Sequence, residues 1–281
     1  MSVKTVFSRI TTFFSRVKVF VNTHTIFRVL AAILAFAITG YLLWGASDLL
    51  GNPIMYSINK SNAEKYLAEN YGGEGYVLKS VSYNFKFGVY SAVAEKPNSE
   101  DCKFVLYYGK DGSLRGDDYE NRVKNGDNTR YRLEKQYGDF ANSVLKSSAN
   151  PYSTGVCYGE LVFEDRGEGF GLPKSILAPD KLYDIAKLGA EGGLVTVNID
   201  SEQATPERAA EVLVEIDKLM EQGGVPFYAI NLTLQNPEHE YFSIESFRRA
   251  DIRGDGLVER IYENWQNTEE RFDKMYKEKF E

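Results

Sequence analysis

The sequence predicts an α+β protein: a single N-terminal transmembrane helix, then a helix-plus-antiparallel-meander domain, then a mixed α/β domain. Three observations predict it. Val29 to Ala46 is eighteen residues without a charge. Val81 to Phe87 alternates Val81, Tyr83, Phe85 and Phe87 with Ser82, Asn84 and Lys86, the period of a strand. Strand-like and helix-like stretches then alternate to the end of the 281 residues.

Composition sets the outer limits. The chain is 43% hydrophobic and 26% charged, with a mean hydropathy of −0.36, which excludes a polytopic membrane protein. Charge is unevenly spread. Residues 1–28 hold Lys4, Arg9, Arg16, Lys18 and Arg28 and no acid, and the first carboxylate is Asp48. The remainder has 28 basic and 40 acidic residues, a net of about −12. A body that acidic argues against nucleic acid as a partner, which requires a basic footprint.

The elements follow in order. Val3, Phe7, Ile10, Phe14, Val17 and Val21 recur at helical steps, with Arg9, Thr12 and Arg16 opposite. That predicts a basic amphipathic cytoplasmic leader over 1–28, suited to an anionic inner leaflet. Residues 29–50 form the predicted span. Its eighteen uncharged residues reach about 27 Å, close to the hydrocarbon thickness. Arg28, Tyr41 and Trp44 suit the membrane interface. A buried core helix and a cleaved signal peptide are the competing readings. The run lacks a polar face, and its best cleavage site is the weak Gly45-Ala46-Ser47. The excess of positive charge before the span places the N-terminus in the cytoplasm and the C-terminus outside the cell membrane.

A first extracytoplasmic domain is expected over 51–148. Asn52-Pro53 opens a helix carrying Ile58, Ala63, Tyr66, Leu67 and Tyr71, which Gly72-Gly73 ends. Strands are expected through Phe87, from Val89 to Ala94, from Lys103 to Tyr108, and from Leu114 after the hairpin signal Asp111-Gly112. A helix from Thr129 to Ser147, with Leu133, Tyr137, Phe140, Ala141, Val144 and Leu145 on one face, is expected to cover this sheet together with the helix at 58–71. Val81, Tyr83 and Phe85 would then be buried. Phe87 and Tyr90, flanking Gly88, are the rings expected to stay exposed as possible aromatic contacts.

The small polar stretch 147–155 reads as a boundary, with a second domain over 156–281. It is expected to hold strands at 158–164, 194–200, 228–234 and 241–247. Helices are expected at 179–188, after the cap Thr205, and from Leu257 to about Phe280.

Motifs for chemistry are few. His24 lies in the leader and His239 in a polar turn. HExxH, GxSxG, Walker A and GxGxxG patterns are absent. Asp251, Asp255, Gly256 and Glu259 match a calcium loop at positions 1, 5, 6 and 9, but Arg253 and Tyr262 stand where oxygen ligands belong. The residues are explained as well by a helix start, with Asp255 as its cap. Gly167 to Gly171 reads as a turn, and Arg115-Gly116-Asp117 as a hairpin end. No catalytic residue, cofactor or metal is assigned. Cys102 and Cys157 form one disulfide or two buried thiols.

The stretch GNPI…AEKYLAENYGGEGYVLKSVSYNFKFGVYSA, from Gly51 to Ala92, resembles the membrane-anchored YfjL-like proteins of Gram-positive bacteria. The segment DNTRYRLEKQYGD, 127–139, suits the same layout. The resemblance implies an envelope protein with one anchor and two parts, and implies no activity. The expected partners are the lipid bilayer and an envelope protein, peptide or wall polymer. The sequence thus favours a non-enzymatic binding module. The alternatives are a wall-acting hydrolase with a carboxylate pair and, from the helix-then-meander order, a PepSY-like regulator of an extracytoplasmic protease or signalling protein.

Overall fold

The computed structural model describes residues 25–280 together with positions 12, 15, 17 and 18, with side chains described as far as Arg271. The remainder of the predicted leader and His24 lie outside the described residues. Helix α1 spans Thr25–Leu50, 26 residues. It is long and apolar enough to cross a bilayer, a property a signal sequence shares, and none of its apolar window is buried. Gly51, at a φ of 80°, ends it. The Asn52 side chain then accepts from Ile54 N at 2.9 Å, and Pro53 occupies the first turn of α2, Pro53–Tyr71.

The chain divides into two compact units, residues up to 95 with 105–117, and residues 96–104 with 118 onward. The first sheet is a meander in the order β1 (Val77–Asn84), β2 (Val89–Glu95), β3 (Lys103–Tyr108), β4 (Leu114–Asp117). Val81, Ala92, Tyr90 and Leu106 are buried, as are Ala63 and Leu67 of α2. The predicted Asp111-Gly112 hairpin is present. Gly112 has a φ of 83°, and the Asp111 carboxylate accepts from Ser113 N and Oγ.

The second unit holds a four-stranded sheet in the order β5 (Val156–Leu161), β6 (Gly193–Asp200), β7 (Ala229–Gln235), β8 (Tyr241–Arg248). Only β6 and β7 run parallel. Helices α3 (Asp127–Leu145), α4 (Ile185–Gly192), α5 (Pro206–Gln222) and α6 (Leu257–Phe280) supply its helical layer. One core joins Leu133, Tyr137, Ala141 and Leu145 of α3 to Val195 and Val197 of β6 and to Leu213 and Ile216 of α5. Thr205 caps α5 through Arg208 N, as the sequence predicts.

Three expectations are corrected. Helix α3 covers the second sheet, not the first. Its periodicity reveals an apolar stripe but not which sheet receives it. The decision comes from small residues: a Cβ on Gly159 of β5 would lie 2.4 Å from Ala141 Cβ, so only glycine admits the helix there. The segment 147–155 is accordingly a turn within the second unit, closed by Asn150, which donates to Leu145 O and accepts from Tyr152 N. The helix expected at 179–188 begins only at Ile185, where Asp184 accepts from Lys187 N.

Candidate functional site: an open sheet face

Strand alternation sends every second side chain of the second sheet away from its helices. On the inner side stand Cys157, Val195, Val197, Ile230, Leu232, Leu234, Phe242 and Ile244, all buried. On the other side the register aligns Val156, Asn198, Thr233 and Ser243 in one row, and Asp200, Gln235 and Tyr241 in the next. Tyr158, Thr196 and Asn231 form the row behind. Hydroxyls and side-chain amides thus dominate a face that no helix covers among the described residues. Val156, Tyr158, Asn198, Asp200 and Tyr241 are exposed. Thr196 is buried at 7% exposure, and its Oγ has no hydrogen-bond partner. A hollow of about 430 Å³ lies here, lined by Asn198, Asp200, Thr233, Gln235, Tyr241 and the 154–156 segment. It sits at the carboxyl ends of the parallel pair β6 and β7, where open α/β sheets take their ligands.

The far end of the face is closed by the chain itself. Gly167 to Gly171 belongs to a loop that returns to the sheet through a parallel bridge between Phe163 and Leu172. Phe170 stacks on Tyr228 at 4.8 Å, over Leu194, Ala229 and Val162. Arg166 bonds Glu160 at 2.8 Å, and that hydrogen bonding holds its guanidinium above the usual arginine range despite partial burial. Glu168 accepts from Ser246 Oγ at 3.1 Å. Ser246, at a φ of 52°, is the extra residue of a bulge in β8, and its N–H donates to Asn231 Oδ1 at 2.7 Å. The loop and the bulge leave one open polar end and one sealed apolar end.

A second hollow of about 540 Å³ contains Phe227, Tyr228, Arg248, Arg249, Arg253 and Glu221. Its charge is largely spent internally. Asp217, nearly buried, receives Arg249 at 2.6 Å and Arg253 at 3.0 Å, and Arg253 also reaches Glu221. The first hollow is the better candidate, because its polar groups are not committed to ion pairs.

Comparison with protein families matches the YfjL-like N-terminal domain to residues 26–113 and the YfjL-like C-terminal domain to residues 136–262. The chain belongs to the YfjL-like family. No curated protein and no solved structure matches it. The N-terminal YfjL-like domain takes in nearly all of α1 together with α2 and the first hairpins. The C-terminal one takes in the open face.

The residues singled out from the sequence fall elsewhere in this YfjL-like protein. Phe87 is 70% exposed, as expected. Tyr90 is not: it is 1% exposed, and its hydroxyl accepts from Asn52 N at 2.7 Å. The correction has a simple cause. Tyr90 lies opposite Tyr83 in the register, on the side that meets the start of α2. Phe85, expected in the core, is 65% exposed. Strand β1 stops at Asn84, whose side chain accepts from Lys86 N and closes a four-residue turn over 85–88. Tyr41 and Trp44 stand 6.1 Å apart and exposed on α1, with Arg28 on the same helix. Cys102 and Cys157 are separate buried thiols, and burial pushes the Cys157 thiol up. The calcium-like loop is filled by a side chain: Arg260 donates to Asp251 O and Asp255 O, at 3.1 and 2.6 Å. Helix α6 starts at Leu257 rather than with a cap at Asp255. Among the described residues no cluster of three metal-ligating side chains occurs. His239, at a φ of 64°, shares a 3.0 Å hydrogen bond with Gln235 at the margin of the open face. The face itself was missed from the sequence. Its signal was the polar alternation Thr196, Asn198, Asp200 beside Asn231, Thr233, Gln235.

Proposed function

We propose that this protein is a single-pass, membrane-anchored binding module of the cell envelope. Its C-terminal YfjL-like domain takes a neutral, hydroxyl-rich polymer such as wall glycan on the open sheet face. The observation that carries this reading is the cluster of side-chain amides and hydroxyls held in no ion pair, Asn198, Thr233 and Gln235, flanked by the exposed ring of Tyr241, with Thr233 accepting from Ser243 and Gln235 bonded to His239. Side-chain amides offer donors and acceptors together, and a tyrosine offers an apolar face with a polar tip. Such groups orient a polar chain without requiring it to be charged. Asp200 is the one charged group among the described residues that line the hollow, so the arrangement favours binding over the acid–base pair of a hydrolase.

Retention of α1 as the anchor is supported by what its last turn holds. Tyr83 Oη donates to Asp48 O at 3.1 Å, Lys110 pairs with the Asp48 carboxylate, and Asn52 binds Tyr90. Cleavage after Ala46 would leave those contacts at a fraying end. With the positive charges ahead of α1, the C-terminal units lie outside the cell membrane.

The binding test uses the full chain in lipid nanodiscs and soluble wall glycan strands. Saturable binding is expected, weakened at least about tenfold, equivalent to about 1.4 kcal/mol, by Asn198→Ala together with Tyr241→Ala. Absence of binding by the wild-type chain, or binding that this pair leaves unchanged, would refute the reading.

A further inference from the structure

We infer that the β1–β2 turn, Phe85-Lys86-Phe87-Gly88, is a second membrane contact: a wedge that enters the interfacial layer of the same bilayer that α1 spans. The inference rests on the anchor reading above and goes beyond it. It begins from lengths. Helix α2 has 19 residues and leaves the end of α1, climbing about 28 Å. Strand β1 has eight residues and packs back against α2, returning about 26 Å. The turn after β1 therefore arrives back at the level of the end of α1.

The contacts agree with that arithmetic. Tyr83, two residues before the turn, bonds the Asp48 carbonyl, and its ring lies against Gly51. The Lys110 side chain runs from Gly88 of the turn to Asp48 of α1. Trp44, a full turn deeper in α1, shares a small hollow with Tyr83, Tyr90 and Lys110. A ring at the tip thus stands within a side chain's length of the interfacial zone marked by Trp44 and Asp48.

The composition of the tip suits that zone. Two phenylalanines are left 65% and 70% exposed in a turn where small polar residues are the norm. Leu50 and Ile54, at the same end of the unit, are also exposed. Lys86 lies 5.7 Å from the Phe87 ring centroid and, beyond that contact, is free for a lipid phosphate. Lys110 and Arg115 are partnered by Asp48 and Asp111, so the net charge of the tip is small. Burial of the rings, with Lys86 reaching the headgroups, is the main attraction. A helix held at two points, by its own span and by this wedge, has a fixed tilt and a fixed rotation about its axis. A lone span has neither.

The test places an indole at the tip. Full-length chains carrying Phe85→Trp or Phe87→Trp are reconstituted into phosphatidylcholine vesicles with and without bromine high on the acyl chains. Wild-type emission, from Trp44 and Trp265, is subtracted. Both added indoles are expected to be quenched by the brominated lipid as strongly as Trp44. If Trp44 is quenched and neither added indole is, the anchor reading stands and the wedge falls. If Trp44 escapes quenching, the anchor reading falls and the wedge with it. Both substitutions are at exposed turn positions and retain an aromatic ring, so unchanged circular dichroism is expected to accompany either result.

Discussion

At the scale of single residues, the most constrained group is Asp101. It is 1% exposed and accepts from Arg132, Thr129 and the backbone N–H of Asp180. Asp180 answers by accepting from Glu100 N and Asp101 N, in a backbone conformation with a φ of 58° that few non-glycine residues adopt. Arg132 also donates to Lys181 O, so one ion pair ties α3 to the loops at 96–102 and 177–184. Burial alone would raise the Asp101 carboxyl, but the Arg132, Asp180 and Thr129 hydrogen bonds outweigh it and hold it below the usual range. Because the folded value lies below the unfolded one, the stabilisation is complete above about pH 4. It is lost as the pH falls through the folded value. Denaturant midpoints measured between pH 6 and 2 are expected to fall more steeply for the wild type than for Asp101→Asn. At neutral pH, Asp101→Asn is expected to cost about 3–5 kcal/mol, because the buried Arg132 loses its counter-charge. An unchanged midpoint at neutral pH would mean that the pair is incidental.

At the scale of elements, glycines decide how closely helix and sheet approach. Tyr137 of α3 is buried between Gly189 of α4 and Gly193 of β6, and its hydroxyl reaches Pro226 O at 3.1 Å. Gly159→Ala would thrust a methyl group into Ala141, and overpacking of this kind costs about 1–3 kcal/mol. Thermal unfolding is expected to show that loss, with Ala141→Gly in the Gly159→Ala background recovering part of it. A null effect would mean that α3 sits less tightly than described. The edge of the sheet is managed by a side chain as well. Asn264 of α6 accepts from Glu245 N and donates to Glu245 O, as a neighbouring strand would. This occupies part of the β8 edge that would otherwise invite another chain. Most element positions were legible in the sequence. The period-two and helical runs of β6, β7, α5 and α6 depend on local alternation alone. The end of β1 at Asn84 was not legible, because an Asn side chain closing a turn competes with a pattern that continues unbroken through Phe87.

At the scale of the whole molecule, a long apolar helix opens the first of two compact units, each with its own four-stranded sheet or most of one. The anchor reading predicts an orientation. Protease added to intact, wall-stripped cells is expected to degrade the chain beyond residue 50, and an epitope at the N-terminus is expected to survive. Protection of the C-terminal units in cells, with cleavage in inside-out vesicles, would reverse the topology. The seam between the YfjL-like domain matches falls between residues 113 and 136. The change of compact unit after Asp117 lies within that seam, and α3, which gives its apolar stripe to the second core, belongs to the second unit.

The sequence by itself determined the apolar helix, the acidic body, the two-sheet layout and the family, because these depend on composition and on periodicities a few residues long. Only the tertiary structure decided which sheet α3 covers, that Tyr90 is buried while Phe85 is not, and that Asn198, Thr233 and Gln235 share one side of the second sheet, opposite its helices. Those facts arise from register and long-range packing: residues far apart in the chain become neighbours only when strands pair, and an alternating strand shows two faces without saying which one a helix will cover.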